Sequence, residues 1–209
     1  MGQILSLTGY AAAGKSTLAK HLQVRHGAQW VRTRDIVQLL GGSATLQSLQ
    51  EKGLTLSSEE GADLFFSELQ KLIHPTQTTV IDAIRPFSHW TRIKAAYGPR
   101  AHLVGVKAPH DTRRARFEER EPGSCLRARD DHEVEREIPG LLEIADYVVV
   151  TTSRLDVVTD LLMAFAYRES LPSYPSLLSL AASRASGPFP EPEAGVVRDL
   201  WQRAAAGEF

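Results

Sequence analysis

The segment 9–16 constrains the fold more than any other part of the sequence. It reads Gly-Tyr-Ala-Ala-Ala-Gly-Lys-Ser and fits the phosphate-binding pattern G-x-x-x-x-G-K-[ST] at every fixed position. The apolar run 4–7 before it predicts a buried strand, and residues 18–22 after it predict a helix. A loop between a strand and a helix N-terminus can point its backbone N–H groups at an anion. The sequence therefore predicts a loop that binds the phosphates of a nucleoside triphosphate.

Individual residues of this loop have expected roles in holding ATP. The two glycines let the backbone turn tightly around a phosphate. Lys15 is expected to bridge the β- and γ-phosphates, and the Ser16 hydroxyl is expected to bind Mg²⁺. The alternative is an incidental glycine–alanine turn with an exposed lysine, and the flanking strand and helix argue against it. The predicted ATP-binding residues of the loop are Gly9, Ala12, Ala13, Gly14, Lys15, Ser16 and Thr17.

The length and composition suit a cytoplasmic α/β protein. At 209 residues the chain can bury a sizeable core, and its single cysteine, Cys125, excludes an internal disulfide framework. The N-terminus enters a strand at once, without the basic and apolar regions of a signal peptide. No apolar run approaches the ~20 residues that a membrane span requires. We therefore expect a cytoplasmic location and no membrane partner.

The charge balance bears on the class of partner. Lysine and arginine total 24, and aspartate and glutamate total 25, which gives a net charge of −1. A dedicated binder of duplex DNA needs a strongly basic face, so nucleic acid is not the expected partner. The balance still allows a small anionic ligand that a few arginines hold.

Strands and helices alternate through the first 168 residues, which predicts a parallel sheet covered by helices on both faces. The predicted strands cover residues 4–7, 28–31, 78–82, 102–106 and 147–150. Ligands of such sheets bind at the carboxyl ends of the strands. The following residues come after predicted strands and should therefore lie on one side of the molecule: Gly9, Asp35, Asp82, His110 and Thr151.

The helix before the third strand carries the clearest local start signal. Ser57 and Glu60 match a capping box for a helix that runs to about Ile73, and Pro75 prevents its extension. Residues 43–56 have no definite assignment, because glycine and threonine interrupt their pattern of leucines. The sequence thus predicts one helix with a defined N-terminus and leaves the preceding segment open.

The last part of the chain differs in composition from the rest. Residues 169–193 are rich in proline, serine and alanine, which predicts a linker or a loosely docked loop. Residues 194–206 fit one amphipathic helix. That helix either docks on the core or forms a homodimer contact. The expected domains are therefore a nucleotide-binding domain at 1–168 and a linker with a terminal helix at 169–209.

Asp82 ends the third predicted strand, and Arg85 follows it. An acid at the end of an apolar strand is placed to hold Mg²⁺ directly or through water, so Asp82 is the second predicted metal ligand besides Ser16. The alternative for Asp82 is a helix N-cap. Arg85 lies just beyond the strand, where its guanidinium group could clamp an anionic acceptor or the transferring phosphoryl group.

An arginine-rich segment at about 113–137 is predicted to form a lid. Arg113, Arg116 and Arg120 are spaced by three and four residues and share one helical face. A loop at 121–124 that contains proline and glycine follows them. A lid would close over ATP, exclude water and bring guanidinium groups to the negative transition state. The many acidic residues of the segment leave a second interpretation, a solvated surface laced with salt bridges.

Together these motifs resemble the P-loop nucleoside-monophosphate kinase superfamily, near its adenylate-kinase-like, dephospho-CoA-kinase-like and archaeal nucleotide-kinase-like proteins. Residues 33–35 are similar to the T-G-D or D-x-D motif of the acceptor-side strand, and residues 82–85 are similar to D-G-x-R. The lid arginines match R-x-x-R-x-x-x-R. The Ala-Asp pair at 145–146 and the loop 151–153 match the segment that leads to the adenine. The resemblance covers about residues 3–165.

The resemblance implies a three-layer α/β/α P-loop fold with a five-stranded parallel sheet in the order 2-3-1-4-5. It also implies ATP and Mg²⁺ as cofactors. The residues that it implies for catalysis are Lys15, Asp35, Arg85, Arg116 and Arg120, and those that it implies for ATP beyond the loop are Arg113 and Thr152. One departure concerns the acceptor: many relatives carry an arginine where this chain has Gln38, so Arg34 and Arg85 would have to hold an acceptor phosphate.

These features predict an ATP-dependent phosphotransferase that acts on a nucleoside monophosphate or a similar small nucleotide. The first alternative is a kinase that acts on a hydroxyl group of a nucleoside, a dephospho-CoA-like molecule or a polynucleotide 5′ end. A phosphate acceptor is already ionised, whereas a hydroxyl acceptor benefits from a general base, for which Asp35 is the candidate. The second alternative is a regulatory ATPase that transfers its phosphoryl group to no small molecule.

Overall fold

A five-stranded parallel sheet is the centre of the structure. The computed structural model describes residues 1–43, 45–152 and 154–167. The strands are β1 (Ile4–Thr8), β2 (Gln29–Arg32), β3 (Thr79–Asp82), β4 (Ala101–Lys107) and β5 (Tyr147–Val150). Their order is β2-β3-β1-β4-β5, and every neighbouring pair is parallel. This order confirms the predicted topology.

The register of the strands places the carboxyl ends of β1, β2 and β3, with the predicted metal ligand Asp82, at one edge of the sheet. Leu7 of β1 lies opposite Asp82 of β3, and Arg32 of β2 also lies opposite Asp82. On the other side, Thr8 of β1 lies opposite Gly105 of β4. The loops that follow β1, β2 and β3 therefore leave the sheet at one common edge, as expected for a ligand site in a parallel sheet.

The first compact unit, residues 1–151, also contains the helices that cover the sheet. They are α1 (Lys15–His26), α2 (Thr33–Leu39), α3 (Leu46–Thr55), α4 (Glu59–Leu72), α5 (Phe87–Tyr97), α6 (His110–Arg120), α7 (Leu126–Asp130) and α8 (Ile138–Glu143), with short 3-10 turns at Gly98–Arg100 and Glu133–Glu135. The segment 43–56, for which the sequence left the structure open, is thus mainly the helix α3.

The core of this unit joins the sheet to helices on both faces. On one face, Ile4 and Ile81 of the sheet pack with Phe65 of α4, Ile93 of α5 and Leu141 of α8. On the other face, α1 contacts β2 and β3 with a stripe of buried residues. Both faces of β1 and β3 are buried, which explains why their sequences are continuous apolar runs rather than alternating patterns.

The N-terminus of α4 differs by one residue from the prediction. Ser58, not Ser57, is the N-cap, and its hydroxyl accepts a hydrogen bond from the Gly61 N–H at 3.1 Å. The predicted capping box of Ser57 and Glu60 is therefore wrong. The Ser57 hydroxyl instead donates to the Gly53 carbonyl of α3 at 2.8 Å, so it belongs to the end of the preceding helix.

The second compact unit begins at Thr152, and its described part contains the helix α9 (Leu155–Ala166). Within it, the Arg154 guanidinium binds the Asp156 carboxylate at 2.6 Å. The predicted linker and terminal helix at 169–209, and with them the predicted homodimer contact, lie outside the described residues. None of the helices in the described part of the chain has both the length and the apolar character that crossing a membrane demands.

Candidate active site

The phosphate loop has the backbone conformation that its glycines were expected to permit. Gly9, Ala12 and Gly14 have positive φ angles of 140°, 57° and 96°. A Cβ atom on Gly9 would lie 2.2 Å from the Val106 carbonyl oxygen of β4, so no larger residue fits there. The turn ends at α1, whose N-terminal N–H groups and positive dipole end face the loop. This conformation is suited to an anion.

The Lys15 side chain is buried in the loop rather than extended into solvent. Its ammonium group donates to the carbonyl oxygens of Gly9 at 2.6 Å and Tyr10 at 2.8 Å. Burial and, after it, the neighbouring Arg85 lower the pKa of Lys15 to about 7, against the opposing effect of Glu135 and Asp82. The lysine therefore lies among the charges of the site and has a perturbed pKa, as is common for groups at functional sites.

The two predicted metal ligands lie at the ends of neighbouring elements. Ser16 is exposed in the first turn of α1, and Asp82 is the buried last residue of β3. The described residues contain no group of three or more side chains that would form a complete metal site. One hydroxyl and one carboxylate fit Mg²⁺, because this ion prefers oxygen ligands and usually keeps several waters and substrate phosphates in its shell.

Arg113 of α6 connects the predicted lid to the phosphate loop. Its Nε donates to the Ala11 carbonyl at 2.8 Å, and its Nη2 binds both Asp130 carboxylate oxygens at 2.5 and 2.6 Å. Its guanidinium carbon also lies 5.0 Å from the centre of the Tyr10 ring. Arg113 is therefore buried against the loop, and Asp130 holds it there.

Arg116 also reaches the phosphate loop, through Thr151. Its guanidinium donates to the Thr151 hydroxyl at 3.0 Å and to the Thr151 carbonyl at 3.3 Å. The same hydroxyl donates to the Ala13 carbonyl at 2.6 Å. Arg120 differs from Arg113 and Arg116, since it is exposed and binds Glu121 at 3.0 Å on the surface of the lid.

Apolar contacts also join the lid segment to the loop. Phe117 of α6 and Leu126 of α7 are buried and pack with Ala11, and Ala12 lies against the same cluster. In this conformation, therefore, one side of the segment 113–137 packs on the phosphate loop, while its other side is exposed and carries surface ion pairs such as that of Arg127 with Asp131. That it opens and closes with ligands stays a prediction.

A cleft that is open to solvent lies at the carboxyl ends of β2 and β3. Its polar lining residues are Thr33, Arg34, Gln50, Arg85, His89 and Arg129, and its apolar ones include Val37, Leu49, Phe65, Pro86 and Val134. His89 is neutral here, because burial lowers its pKa to about 4. It stacks on Phe65 with ring centres 3.9 Å apart. The charge of the cleft therefore comes mainly from its three arginines.

Two of these arginines share one buried carboxylate. Arg85 Nε donates to Glu135 Oε1 at 2.8 Å, and Arg129 Nη2 lies 3.5 Å from the same oxygen. The Glu135 side chain has an exposed fraction of 0%, whereas those of Arg85 and Arg129 are 24% and 13% exposed. Burial and the nearby Arg85 lower the pKa of Arg129, and Glu135 opposes this.

Asp35 lies outside this cleft lining. Its carboxylate binds Arg32 at 2.9 Å, and both side chains are about half exposed. The residue of its motif that reaches the interior is Thr33, whose hydroxyl donates to the Ala83 carbonyl at 3.0 Å and accepts from the Ala83 N–H at 3.2 Å. The role of Asp35 as a general base therefore stays a prediction, and catalysis would require it to leave Arg32.

Thr152, the predicted adenine contact, begins the second compact unit and is exposed. Its contact with ATP stays a prediction. Three residues of the site had no specific role assigned from the sequence: Asp130, Glu135 and Arg129. The only sequence signal for them was the density of charges between 113 and 137. Their partners are Arg113 and Arg85, which are 17 and 50 positions away from Asp130 and Glu135, and spacing within a helix cannot predict such pairs.

Known structures share this fold at low sequence identity. A shikimate kinase from Acinetobacter baumannii, solved in complex with shikimate, matches with a TM-score of 0.54 and 18% identity over 82% of this chain and 97% of that chain. TT1252 from Thermus thermophilus matches with a TM-score of 0.51 and 20% identity over 81% and 99% of the two chains. The tunicamycin resistance protein of Deinococcus radiodurans matches with a TM-score of 0.51 and 16% identity over 82% and 98%.

The chain therefore has the three-layer P-loop fold with the strand order that the resemblance implied. No model of a known protein family matches the sequence. Two UPF0200 proteins from strains of Halobacterium salinarum are 33% identical to it over 88 residues, which is 40% of this chain and 46% of each relative. The chain thus spans about half the length of the curated relatives it matches. Similarity at this level establishes the fold, and function has to be argued from the site.

Proposed function

We propose that the chain is an ATP-dependent kinase that phosphorylates a nucleoside monophosphate or a similar small nucleotide. The observation that carries the proposal is the position of three arginines, Arg34, Arg85 and Arg129, around one cleft next to a complete phosphate loop. Arg85 is also close enough to Lys15 to lower its pKa. The two anion-binding regions are therefore neighbours, as direct transfer between two phosphates requires.

On the ATP side, the proposed roles follow from the contacts of the loop. When ATP binds with Mg²⁺, the nucleotide supplies the phosphoryl group, and Ser16 and Asp82 would hold the metal ion. Lys15 would leave the carbonyl oxygens of Gly9 and Tyr10 and bind the β- and γ-phosphates. The loop N–H groups, from Gly9 to Thr17, would hold the phosphates in place.

The lid arginines would stabilise the charge of the transferring group. Arg113 already donates to the Ala11 carbonyl of the loop, and Arg116 donates to Thr151, which itself binds the loop. Small side-chain movements would therefore bring both guanidinium groups to the phosphates. Arg120 binds Glu121 on the surface, and its proposed role requires the lid to move when substrates bind. Arg85 would contact the transferring phosphoryl group from the side of the acceptor.

A phosphate acceptor agrees best with the groups around the cleft. It arrives ionised, so it needs positive charge and no general base. The cleft supplies three guanidinium groups, while the candidate base Asp35 is paired with Arg32 outside the lining. A monophosphate is therefore our first choice of acceptor.

A hydroxyl acceptor is the second candidate, because the structurally similar shikimate kinase was solved with shikimate, which is not a nucleotide. In that case Asp35 would have to reach the cleft and take up the hydroxyl proton. A regulatory ATPase, the third possibility, would hydrolyse ATP without any acceptor. The three differ in what an added acceptor does to the release of ADP.

The deciding experiment measures ADP release by the purified full chain with Mg²⁺ and ATP. Each nucleoside monophosphate, each nucleoside and shikimate is added in turn, and products are identified by mass spectrometry. We expect at least one monophosphate to stimulate ADP release and to become a diphosphate, and we expect K15A to abolish this. Phosphorylation of nucleosides or shikimate alone would reject the nucleotide acceptor. ADP release that none of the added acceptors changes would favour the regulatory ATPase.

A further inference from the structure

Glu135 is the most buried charged residue of the site, and it lies beneath the cleft rather than on its surface. It belongs to the 3-10 turn Glu133–Glu135 within the lid segment. Its Oε1 accepts from Arg85 Nε at 2.8 Å and lies 3.5 Å from Arg129 Nη2. The neighbouring Val134 and both arginines line the cleft. The Glu135 carboxylate thus binds two of the three arginines that line the cleft without lining the cleft itself.

The two arginines retain unused donors. Arg85 binds Glu135 through Nε, which leaves the N–H groups of its Nη1 and Nη2 atoms outside that ion pair. Arg129 Nη1 is buried and has no hydrogen-bond partner among the described residues. A buried donor without a partner is unfavourable. The Arg129 side chain lines the cleft, so it would gain by turning this donor toward a ligand oxygen there.

Two mechanisms could connect Glu135 with an anionic ligand. In the first, the ligand displaces Glu135 from the arginines. In the second, Glu135 keeps both arginines in place while the ligand uses their free N–H groups. Displacement would leave a carboxylate of 0% exposure without its two arginine partners, and a buried ion that loses its partners is strongly unfavourable. One hydrogen bond to a ligand does not offset that loss, so the second mechanism is favoured.

We infer that Glu135 is a positioning residue of the acceptor cleft, which holds Arg85 and Arg129 so that their free N–H groups bind an oxyanion of the acceptor. The oxyanion is a phosphate or a carboxylate, since both accept paired hydrogen bonds from guanidinium groups. That this oxyanion belongs to a phosphoryl acceptor rests on the proposed kinase function. Glu135 itself does not touch the acceptor and acts through the two arginines.

The test measures anion binding without turnover. The full chain is saturated with Mg²⁺ and the non-hydrolysable ATP analogue AMP-PNP, so that the phosphate loop is occupied. Inorganic phosphate and acetate are then titrated separately, and the arginine Nε–H signals are followed by NMR, with assignments from R85K and R129K. We expect one of the two anions to shift the signals of Arg85 and Arg129, and the stronger of the two identifies the class of oxyanion.

The variant E135Q keeps the shape of the side chain and removes its charge. We expect it to weaken binding of the preferred anion by about 10- to 100-fold, the equivalent of one charged hydrogen bond. E135D, which keeps the charge on a shorter side chain, should fall between E135Q and the unchanged protein. The matched control is E118Q, which removes the partner of Arg114 on the exposed surface of α6 and should change binding by less than about twofold.

Unchanged or tighter anion binding in E135Q would overturn the inference, because it would mean that Glu135 only reduces the positive charge of the cleft. If E135Q does not fold, as judged by circular dichroism, R129M provides the test. It removes the unpaired donor, and undiminished anion binding in R129M would equally reject the assignment. Anion binding that depends on Glu135 in a protein without any acceptor-dependent turnover would reject the kinase function alone.

Discussion

Binding of ATP should take up a proton at Lys15 when the pH is mildly alkaline. Burial, followed by the nearby Arg85, lowers the pKa of the Lys15 ammonium to about 7 in the nucleotide-free protein. A bound triphosphate places negative charges next to this group and raises its pKa again. At about pH 8 the free protein therefore carries mostly neutral Lys15, whereas the complex carries charged Lys15.

The size of this effect follows from the two pKa values. A change from 10.5 to about 7 corresponds to about 5 kcal/mol in favour of the neutral amine. If bound ATP restores the ordinary pKa, about 0.9 proton is taken up per ATP at about pH 8, and affinity falls about tenfold per pH unit above pH 7. Because the folded pKa lies below the unfolded one, the nucleotide-free protein itself becomes more stable as the pH rises from about 7 to 10.5.

Isothermal titration calorimetry measures the proton directly. At about pH 8 the apparent enthalpy of ATP binding is compared in buffers with different ionisation enthalpies, because proton uptake makes it depend on the buffer. K15M should lose this dependence. K20M, which removes an exposed lysine from the same helix α1, should keep it. A binding enthalpy of the unchanged protein that is equal in all buffers would refute the reasoning.

Three further predictions concern the lid, the candidate base and a helix cap. With ATP and acceptor together, the lid segment 113–137 should become resistant to limited proteolysis, and equal cleavage with and without ligands would argue against a lid that closes. Replacing Asp35 by asparagine should change kcat by less than about tenfold, because its carboxylate binds Arg32 outside the cleft. The loss of a general base usually costs about 10²–10⁴-fold, so steady-state kinetics of the variant on monophosphates and nucleosides show whether Asp35 is a base. Replacing Ser58 by alanine should lower the free energy of unfolding by about 1 kcal/mol, measured by urea denaturation, because it removes the N-cap of α4. An unchanged midpoint in that variant would contradict the assigned cap.

The sequence alone predicted the features that depend on local patterns. The phosphate loop is recognisable because its conformation needs glycine at positive φ, and Gly9 and Gly14 have such angles. The strands on both sides of it are recognisable because a parallel sheet buries both of its faces. The predicted strand order came with the resemblance to P-loop kinases and agrees with the structure.

Local patterns misled where two neighbouring residues were equally suitable. Ser57 and Ser58 both precede the acidic first turn of α4, and either can cap a helix. Which serine caps α4 depends on the end of α3, because the Ser57 hydroxyl donates a hydrogen bond to the Gly53 carbonyl. The Ser58 hydroxyl is therefore the one that accepts from the Gly61 N–H. That contact involves the packing of two consecutive helices, which a capping motif does not contain.

Only the tertiary structure decided how the charges of the site are paired. In the sequence, the acids and arginines between 113 and 137 form one dense and uninformative segment. In the structure, Asp130 holds Arg113 against the phosphate loop. Glu135 instead holds Arg85, which lies outside this segment, just after β3. Such pairs form because a charge buried by packing needs a counter-charge nearby, wherever that partner lies in the chain. Which charges become buried is a property of the assembled fold, so the composition of the cleft could not be derived from spacing along the chain.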